Sequence, residues 1–180
     1  MRRWLLTAAC VAFACPPTAI GAQRPLSIGI GGGATFPTGD LHTSANTGWN
    51  ALGTLALGSL MQPIGLRLDV AYNRFGARGA APAGASSNLS VGSATLNASY
   101  RLPMTDSPFS PYLIAGLGAY RTDCSGGIGC ASTTRYGWNV GLGTKLNLLG
   151  AQTFLEARYH RTKRSGSTVQ FFPISLGLML

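Results

Sequence analysis

Leu66-Arg67-Leu68-Asp69-Val70-Ala71-Tyr72-Asn73 decides the fold. Successive residues of a strand point to opposite faces. Leu66, Leu68, Val70 and Tyr72 therefore share one face, and Arg67, Asp69, Ala71 and Asn73 share the other. A helix would scatter both sets around its axis. The alternation recurs along the chain. Leu96, Ala98, Tyr100 and Leu102 oppose Asn97, Ser99 and Arg101. Tyr136, Trp138, Val140, Leu142 and Leu146 oppose Gly137, Asn139, Gly141, Gly143 and Lys145. Leu155, Ala157 and Tyr159 oppose Glu156, Arg158 and His160.

Extended outward, this reading gives eight strands at about 26–36, 48–60, 64–76, 89–102, 111–123, 134–147, 152–163 and 168–180. Each is about as long as a tilted membrane strand, roughly 9–11 residues or more. The breaks alternate in character. Met61-Gln62-Pro63 and Leu149-Gly150-Ala151 are short turns, and Pro103 to Ser110 is a longer Pro-rich one. Pro37–Thr47, Arg78–Asn88, Cys124–Thr133 and Arg164–Ser167 are mostly longer and rich in Gly, Ser, Ala and Asn. Outer-membrane barrels have short periplasmic turns and longer outer loops. An even strand count returns the C-terminus to the periplasmic side of the N-terminus. The expected fold is all-β, an eight-stranded antiparallel up-and-down transmembrane β-barrel.

Composition agrees with this fold. Of the 180 residues, 46% are hydrophobic and only 11% charged, and 25 are Gly. A soluble enzyme of this size carries about 25% charge. No apolar run reaches the roughly 20 residues of a membrane helix. A secreted soluble barrel would share this composition but bury the apolar face. Two features favour the inverted arrangement. The apolar face recurs at strand length, and Phe36, Trp49, Tyr72, Tyr136, Trp138 and Tyr159 cluster toward the loop side, where amphipathic rings suit a membrane interface. Tyr100 and Phe154 are expected to form a thinner belt at the turn side.

The N-terminus reads as a secretory signal. Arg2 and Arg3 are the basic region, Trp4 to Ala14 the apolar region, and Ile20-Gly21-Ala22 supplies small residues before a cut at Gln23. This divides the chain into a leader, 1–22, and a barrel domain, 23–180. A lipid-anchor reading of Cys10 or Cys15 fails. Thr7-Ala8-Ala9-Cys10 leaves too short an apolar segment, and Ala12-Phe13-Ala14-Cys15 puts a bulky Phe where a small residue belongs. Losing Arg2 and Arg3 takes the net charge from +9 to +7 and leaves two of the four cysteines. Cys124 and Cys130, exported to an oxidising compartment, are expected to form a disulfide.

The inner face would hold Arg67, Asp69, Arg101, Lys145, Glu156 and Arg158. Eight strands leave an interior just wide enough to be filled by side chains, and buried charges must be paired or solvated. A lumenal ion network with small residues, rather than an open pore, is the expectation. Its inward glycines would make room for long Arg side chains.

At this point the chain resembles the small eight-stranded outer-membrane barrels typified by the OmpA transmembrane domain and OmpX. The resemblance covers the whole mature chain. It rests on the pattern, on Pro111-Tyr112-Leu113-Ile114-Ala115-Gly116-Leu117-Gly118, and on the closing strand Phe171-Phe172-Pro173-Ile174-Ser175-Leu176-Gly177-Leu178-Met179-Leu180. It implies outer-membrane lipid and the barrel insertion machinery as partners. Such barrels end on an aromatic residue, whereas this chain ends on Leu180. Pro173 removes a ladder donor, so a bulge or a lost hydrogen bond is expected there.

Motifs for chemistry are weak. Gly29-Ile30-Gly31-Gly32-Gly33-Ala34 spells a dinucleotide fingerprint, but no helix follows Thr35-Phe36-Pro37. The motif reads better as small residues facing the lumen. Lipid A deacylases, also small barrels, pair a His with a Ser two residues on. Here His160 is followed by Thr162 and then Lys163. His160 has the parity of Glu156 and Arg158, so a Glu–Arg–His lumenal network is expected. Asn88-Leu89-Ser90 and Asn97-Ala98-Ser99 fit glycosylation sequons, with no role expected in a bacterial exported barrel. No pattern calls for a catalytic residue, a cofactor, a metal ion or nucleic acid, and a monomer is expected.

The remaining signal is charge. Arg74 and Arg78 flank the second outer loop, Arg121 and Arg135 the third, and Arg161, Lys163 and Arg164 run into the fourth. Asp40 and Asp123 are the acids on that side. This basic outer rim is expected to contact lipopolysaccharide phosphates or another acidic surface polymer, in a structural or adhesive role. The alternatives are a lipopolysaccharide-modifying enzyme, a transport barrel for small apolar solutes, and a soluble secreted ligand-binding barrel.

Overall fold

The computed structural model describes residues 26–57, 63–77, 88–103, 109–125, 132–148, 151–164 and 167–180. The alternating segments form β1 (Leu26–Thr38), β2 (Ala45–Leu57), β3 (Ile64–Ala77), β4 (Asn88–Arg101), β5 (Ser110–Ser125), β6 (Thr133–Leu148), β7 (Ala151–Arg164) and β8 (Ser167–Met179). Each strand pairs antiparallel with its sequence neighbours, and β1 pairs with β8 to close the barrel. Closure removes every exposed strand edge, which lipid could not hydrogen-bond.

The faces are inverted relative to a soluble barrel. Leu66, Leu68, Val70, Leu142, Leu155, Ile174, Leu176 and Leu178 all point outward, and Leu117 is 70% exposed. Arg67, Asp69, Asn73, Thr95, Asn97, Asn139, Glu156 and Arg158 are buried inside. A contiguous apolar belt around the whole wall far exceeds the few hundred Å² that a soluble monomer exposes. The soluble-barrel alternative fails on this point.

Three local features shape the barrel. At the end of β1, Gly39 adopts a φ of 56°, in the left-handed region open to Gly. The chain turns there into a single 3-10 turn, Gly39–Thr43, and Leu41 folds back into the barrel mouth, 5% exposed. Five residues are too few to show a helical period, so this turn was not expected. The β2–β3 register shifts between Asn46 and Trp49, a bulge near the same mouth.

Pro173 interrupts the β7–β8 ladder without a bulge. Pairing runs to Ala157 with Ile174 and resumes, in the same register, at His160 with Phe171. Its pairing with Thr35 of β1 is intact. The lost bond is therefore the outcome, on the β7 side. At the C-terminus, the Leu180 N–H donates to the Ile28 carbonyl at 2.7 Å, and the Ile28 N–H donates to the Leu180 carbonyl at 3.2 Å. An aliphatic last residue thus completes the seam.

Small interior residues make room for large ones. A Cβ on Gly141 would lie 2.7 Å from Arg158 Cγ, and one on Gly137 would lie 2.8 Å from Tyr120 Cε2. One belt assignment is corrected. Phe154 shares the parity of Glu156 and is buried in the lumen, not placed in a lipid-side girdle. Tyr100 does face outward.

Candidate functional site

The lumen is organised in layers. At its centre, Arg67 of β3 and Arg158 and Glu156 of β7 meet Asp69 of β3. Arg67 Nε lies 2.9 Å from Asp69, and its Nη2 lies 2.7 Å from Glu156. Arg158 Nη2 lies 2.7 Å from Asp69, and its Nε bonds Glu156. No side chain of the four exceeds 7% exposure. Two guanidiniums and two carboxylates thus form a closed, charge-neutral ring. β3 and β7 are diametrically opposed in an eight-strand circle, so the ring ties opposite walls together.

Neutral groups extend the ring. The Tyr112 hydroxyl donates to Glu156 at 2.7 Å. The Asn97 amide donates to Asp69 at 2.8 Å and accepts from Asn139 at 2.8 Å. Arg101 and Lys145 have inward parity but sit nearer the turn end, half-buried. The ring is complete without them, and Lys145 has no acidic partner among the described residues. Four of the six expected network residues thus form the central ring.

His160 corrects the expectation in another way. Its Nδ1 lies 3.0 Å from the Tyr120 hydroxyl, and its ring stacks on Phe171 at 4.9 Å and 9°. Phe171 meets Phe75 edge-on at 5.7 Å. With Val91, Val169, Leu41 and Ala45 these rings form an apolar plug beneath the loop-end mouth. His160 belongs to this plug rather than to the Glu–Arg pair. A second cluster, Leu52, Phe154 and Met179, packs between β7, β8 and β2 toward the turn end. Between ring and plug is a cavity of about 20 Å³, bordered by Asn50, Asn73, Glu156, Arg158 and His160. Sequence reasoning missed Phe75, Tyr112, Tyr120 and Phe171 as lumen fillers. Phe75 shares the parity of Asp69 on β3, the available signal, whereas Tyr112, Tyr120 and Phe171 are placed inside by register against inward residues of β4 and β7.

The outer surface near the loops carries a second constellation. Trp49 and Tyr72 pack at 5.6 Å, and so do Trp138 and Tyr159. Phe36 and Tyr136 also face outward. Just beyond these rings, Arg74, Arg121, Arg161 and Lys163 are exposed on the outward face of β3, β5 and β7. Arg135 is exposed too, but with inward parity, across from Tyr120 at the mouth. Arg121 pairs with Asp123 at 3.1 Å. Arg74, Arg161 and Lys163 have no acidic partner among the described residues. Asp40 accepts from the Thr168 N–H at 3.3 Å. Arg78, Cys130 and the side chains of Cys124 and Arg164 lie outside the described part, as does the expected leader over 1–22. The Cys124–Cys130 disulfide therefore falls there as well.

Comparison with known proteins agrees with this architecture. The sequence profile of the family described as outer membrane protein beta-barrel domain matches residues 5–179. Neisserial surface protein A is similar in structure, with a TM-score of 0.63, 18% identity, and coverage of 87% of this chain and 97% of that one. Ail, the attachment invasion locus protein of Yersinia pestis, has a TM-score of 0.53 and 19% identity over 86% of this chain and 97% of that one. No curated protein sequence matches. An inverted, closed eight-stranded barrel and a profile match over nearly the whole chain lead to one assignment: the chain belongs to the outer membrane protein beta-barrel domain family and resides in the bacterial outer membrane.

Proposed function

We propose that the protein is a non-enzymatic surface barrel that works at its outer rim, where basic side chains bind lipopolysaccharide phosphates or a similar acidic polymer. The observation that carries this reading is the position of Arg74, Arg121, Arg161 and Lys163. All four are exposed, face outward, and stand just beyond the aromatic girdle. That is the depth of lipid headgroups, and the outer leaflet presents anionic lipopolysaccharide there. Arg offers a planar fork suited to phosphate. One similar structure, with a TM-score of 0.52, is Ail in complex with the heparin analogue sucrose octasulfate, itself a polyanion.

The lumen supports the same reading by having little to offer a substrate. Its central charges are paired in the ring and its ends are plugged by apolar clusters. His160 and Thr162 are both buried inside, away from lipid, which argues against a lipid-modifying hydrolase built on them.

The test is lipopolysaccharide retention by purified barrel, compared with a variant carrying Arg161→Ser, Lys163→Ser and Arg164→Ser. Retention by the variant should fall several-fold at low salt. Wild-type retention should weaken as salt rises, since exposed charges are screened within about 8 Å at physiological ionic strength. Equal retention by both proteins at low salt would refute the basic-rim function.

A further inference from the structure

The aromatic girdle has a gap. Phe36 on β1, Trp49 on β2, Tyr72 on β3, Tyr136 and Trp138 on β6 and Tyr159 on β7 supply its rings. On β4 and β5 the outward residues at that level are Gly92, Ala94 and Ala119. Register puts them side by side. Val70 is opposite Ala94, Ala94 opposite Ala119, and Ala119 opposite Tyr136. One row closer to the loops, Tyr72 is opposite Gly92 and Gly92 opposite Arg121. One row further into the membrane, Leu96 and Leu117 project, 60% and 70% exposed. The result is a notch floored by three small residues. Tyr72 and Tyr136 flank it, the two leucines project at its membrane end, and Arg121 stands at its loop end. β3 and β6 are three strand spacings apart, roughly 14 Å at about 4.8 Å each.

Two further observations separate this notch from ordinary lipid-facing wall. First, Gly92 has no packing reason to be Gly. A Cβ built on it meets nothing within 4 Å; the lipid-facing Gly53 is nearly as open, 3.9 Å from the Val70 carbonyl, but stands between Ile30 and Val70 rather than among small residues. The φ of Gly92 is ordinary, since Gly39 is the positive-φ glycine among the described residues. A mid-strand Gly with open space above it marks a place where something approaches the backbone closely. Second, Tyr136 is 88% exposed, its ring unsupported on the side of Ala119, whereas Tyr72 and Trp138 each pack on a ring.

The charge above the notch names the occupant. Among the described residues Arg121 bonds only through Nε, to Asp123, and its Nη groups have no partner there. Arg74 lies on β3, two strands from Arg121 and one outward position beyond Tyr72, without an acidic partner among the described residues. We propose that the notch seats acyl chains of one lipopolysaccharide molecule whose phosphate lies against Arg121 and Arg74. This deepens the rim reading and rests on it. The rim supplies the charge, and the notch adds a site for the hydrocarbon.

The test fills the notch and leaves the charges alone. Gly92→Leu places its side chain in open space, so the refolded barrel should keep its heat-modifiable gel mobility and unfolding midpoint. Ala94→Leu, one row deeper, is a second filling should the first not refold. Two probes are titrated against each barrel in detergent: hexa-acylated lipopolysaccharide, and its fully deacylated phosphorylated oligosaccharide. The filled variants should retain the acylated probe at least fivefold less than wild type and bind the deacylated probe equally. Undiminished retention of the acylated probe, with loss in the Arg161/Lys163/Arg164 variant, would overturn the notch and leave the rim reading standing. Loss in neither variant would overturn both. Equal loss of both probes in the filled variants would also overturn the notch, since the effect would not come from the chains.

Discussion

Glu156 accepts from Arg67, Arg158 and Tyr112, as Asp69 accepts from Arg67, Arg158 and Asn97. Replacement of Glu156 by Ala leaves Asp69 alone against two buried guanidiniums, with one positive charge uncompensated. Removing one partner of a buried pair costs about 3–5 kcal/mol, so Glu156→Ala and Asp69→Ala should each lower stability by that order. Denaturant unfolding of the barrel in lipid measures it. A loss under about 1 kcal/mol in both variants would mean that these carboxylates are solvated and the ring is not a tie. The four members of the ring were legible in the sequence because alternation assigns a face. Arg101, Lys145 and His160 share that face but not that height. Depth along the barrel axis depends on strand stagger, which period-two patterning does not encode. Tyr120 and Phe171 were passed over for a related reason. β8 carries no charged residue, and Arg121 and Asp123 of β5 face outward, so no inward charge marks the face that Tyr120 and Phe171 share.

At the scale of elements, all eight strands were legible, with bounds within a few residues of those observed. The 3-10 turn Gly39–Thr43 was not, because one turn carries no period, and its burial of Leu41 is a tertiary event. This turn and the β8 residues Val169 and Phe171 build the loop-end plug. Phe171→Ala should cost about 3–5 kcal/mol, the range for emptying a large buried aromatic site. Tyr136→Ala on the lipid face should cost far less. Parallel unfolding of the two variants makes the comparison, and equal losses would contradict the packed-lumen description. On the β5–β6 hairpin, Cys124 and Cys130 are expected to be joined in exported protein. The bond would close a short loop and contribute at most about 2–3 kcal/mol in the chain-entropy model. Non-reducing mass mapping should find the linked peptide, and two free thiols would reject the pairing.

For the whole molecule, the layers combine into one division of labour. The wall is apolar, a charge-neutral ring holds the centre of the interior between apolar plugs, and unpaired positive charge stands at the loop-end rim. The protein is therefore expected to act by its surface and not by passage through its lumen. Export fits the same plan, with Edman sequencing of the mature protein expected to start at Gln23. The most direct measurement of the central claim is planar-bilayer conductance of the refolded, purified barrel. Eight strands leave an interior that side chains fill, so wild type should give no discrete conductance steps above the bare bilayer. Glu156→Ala should not produce a wide channel either. Stable, ohmic steps from the wild-type barrel would contradict the sealed lumen and return the function to transport.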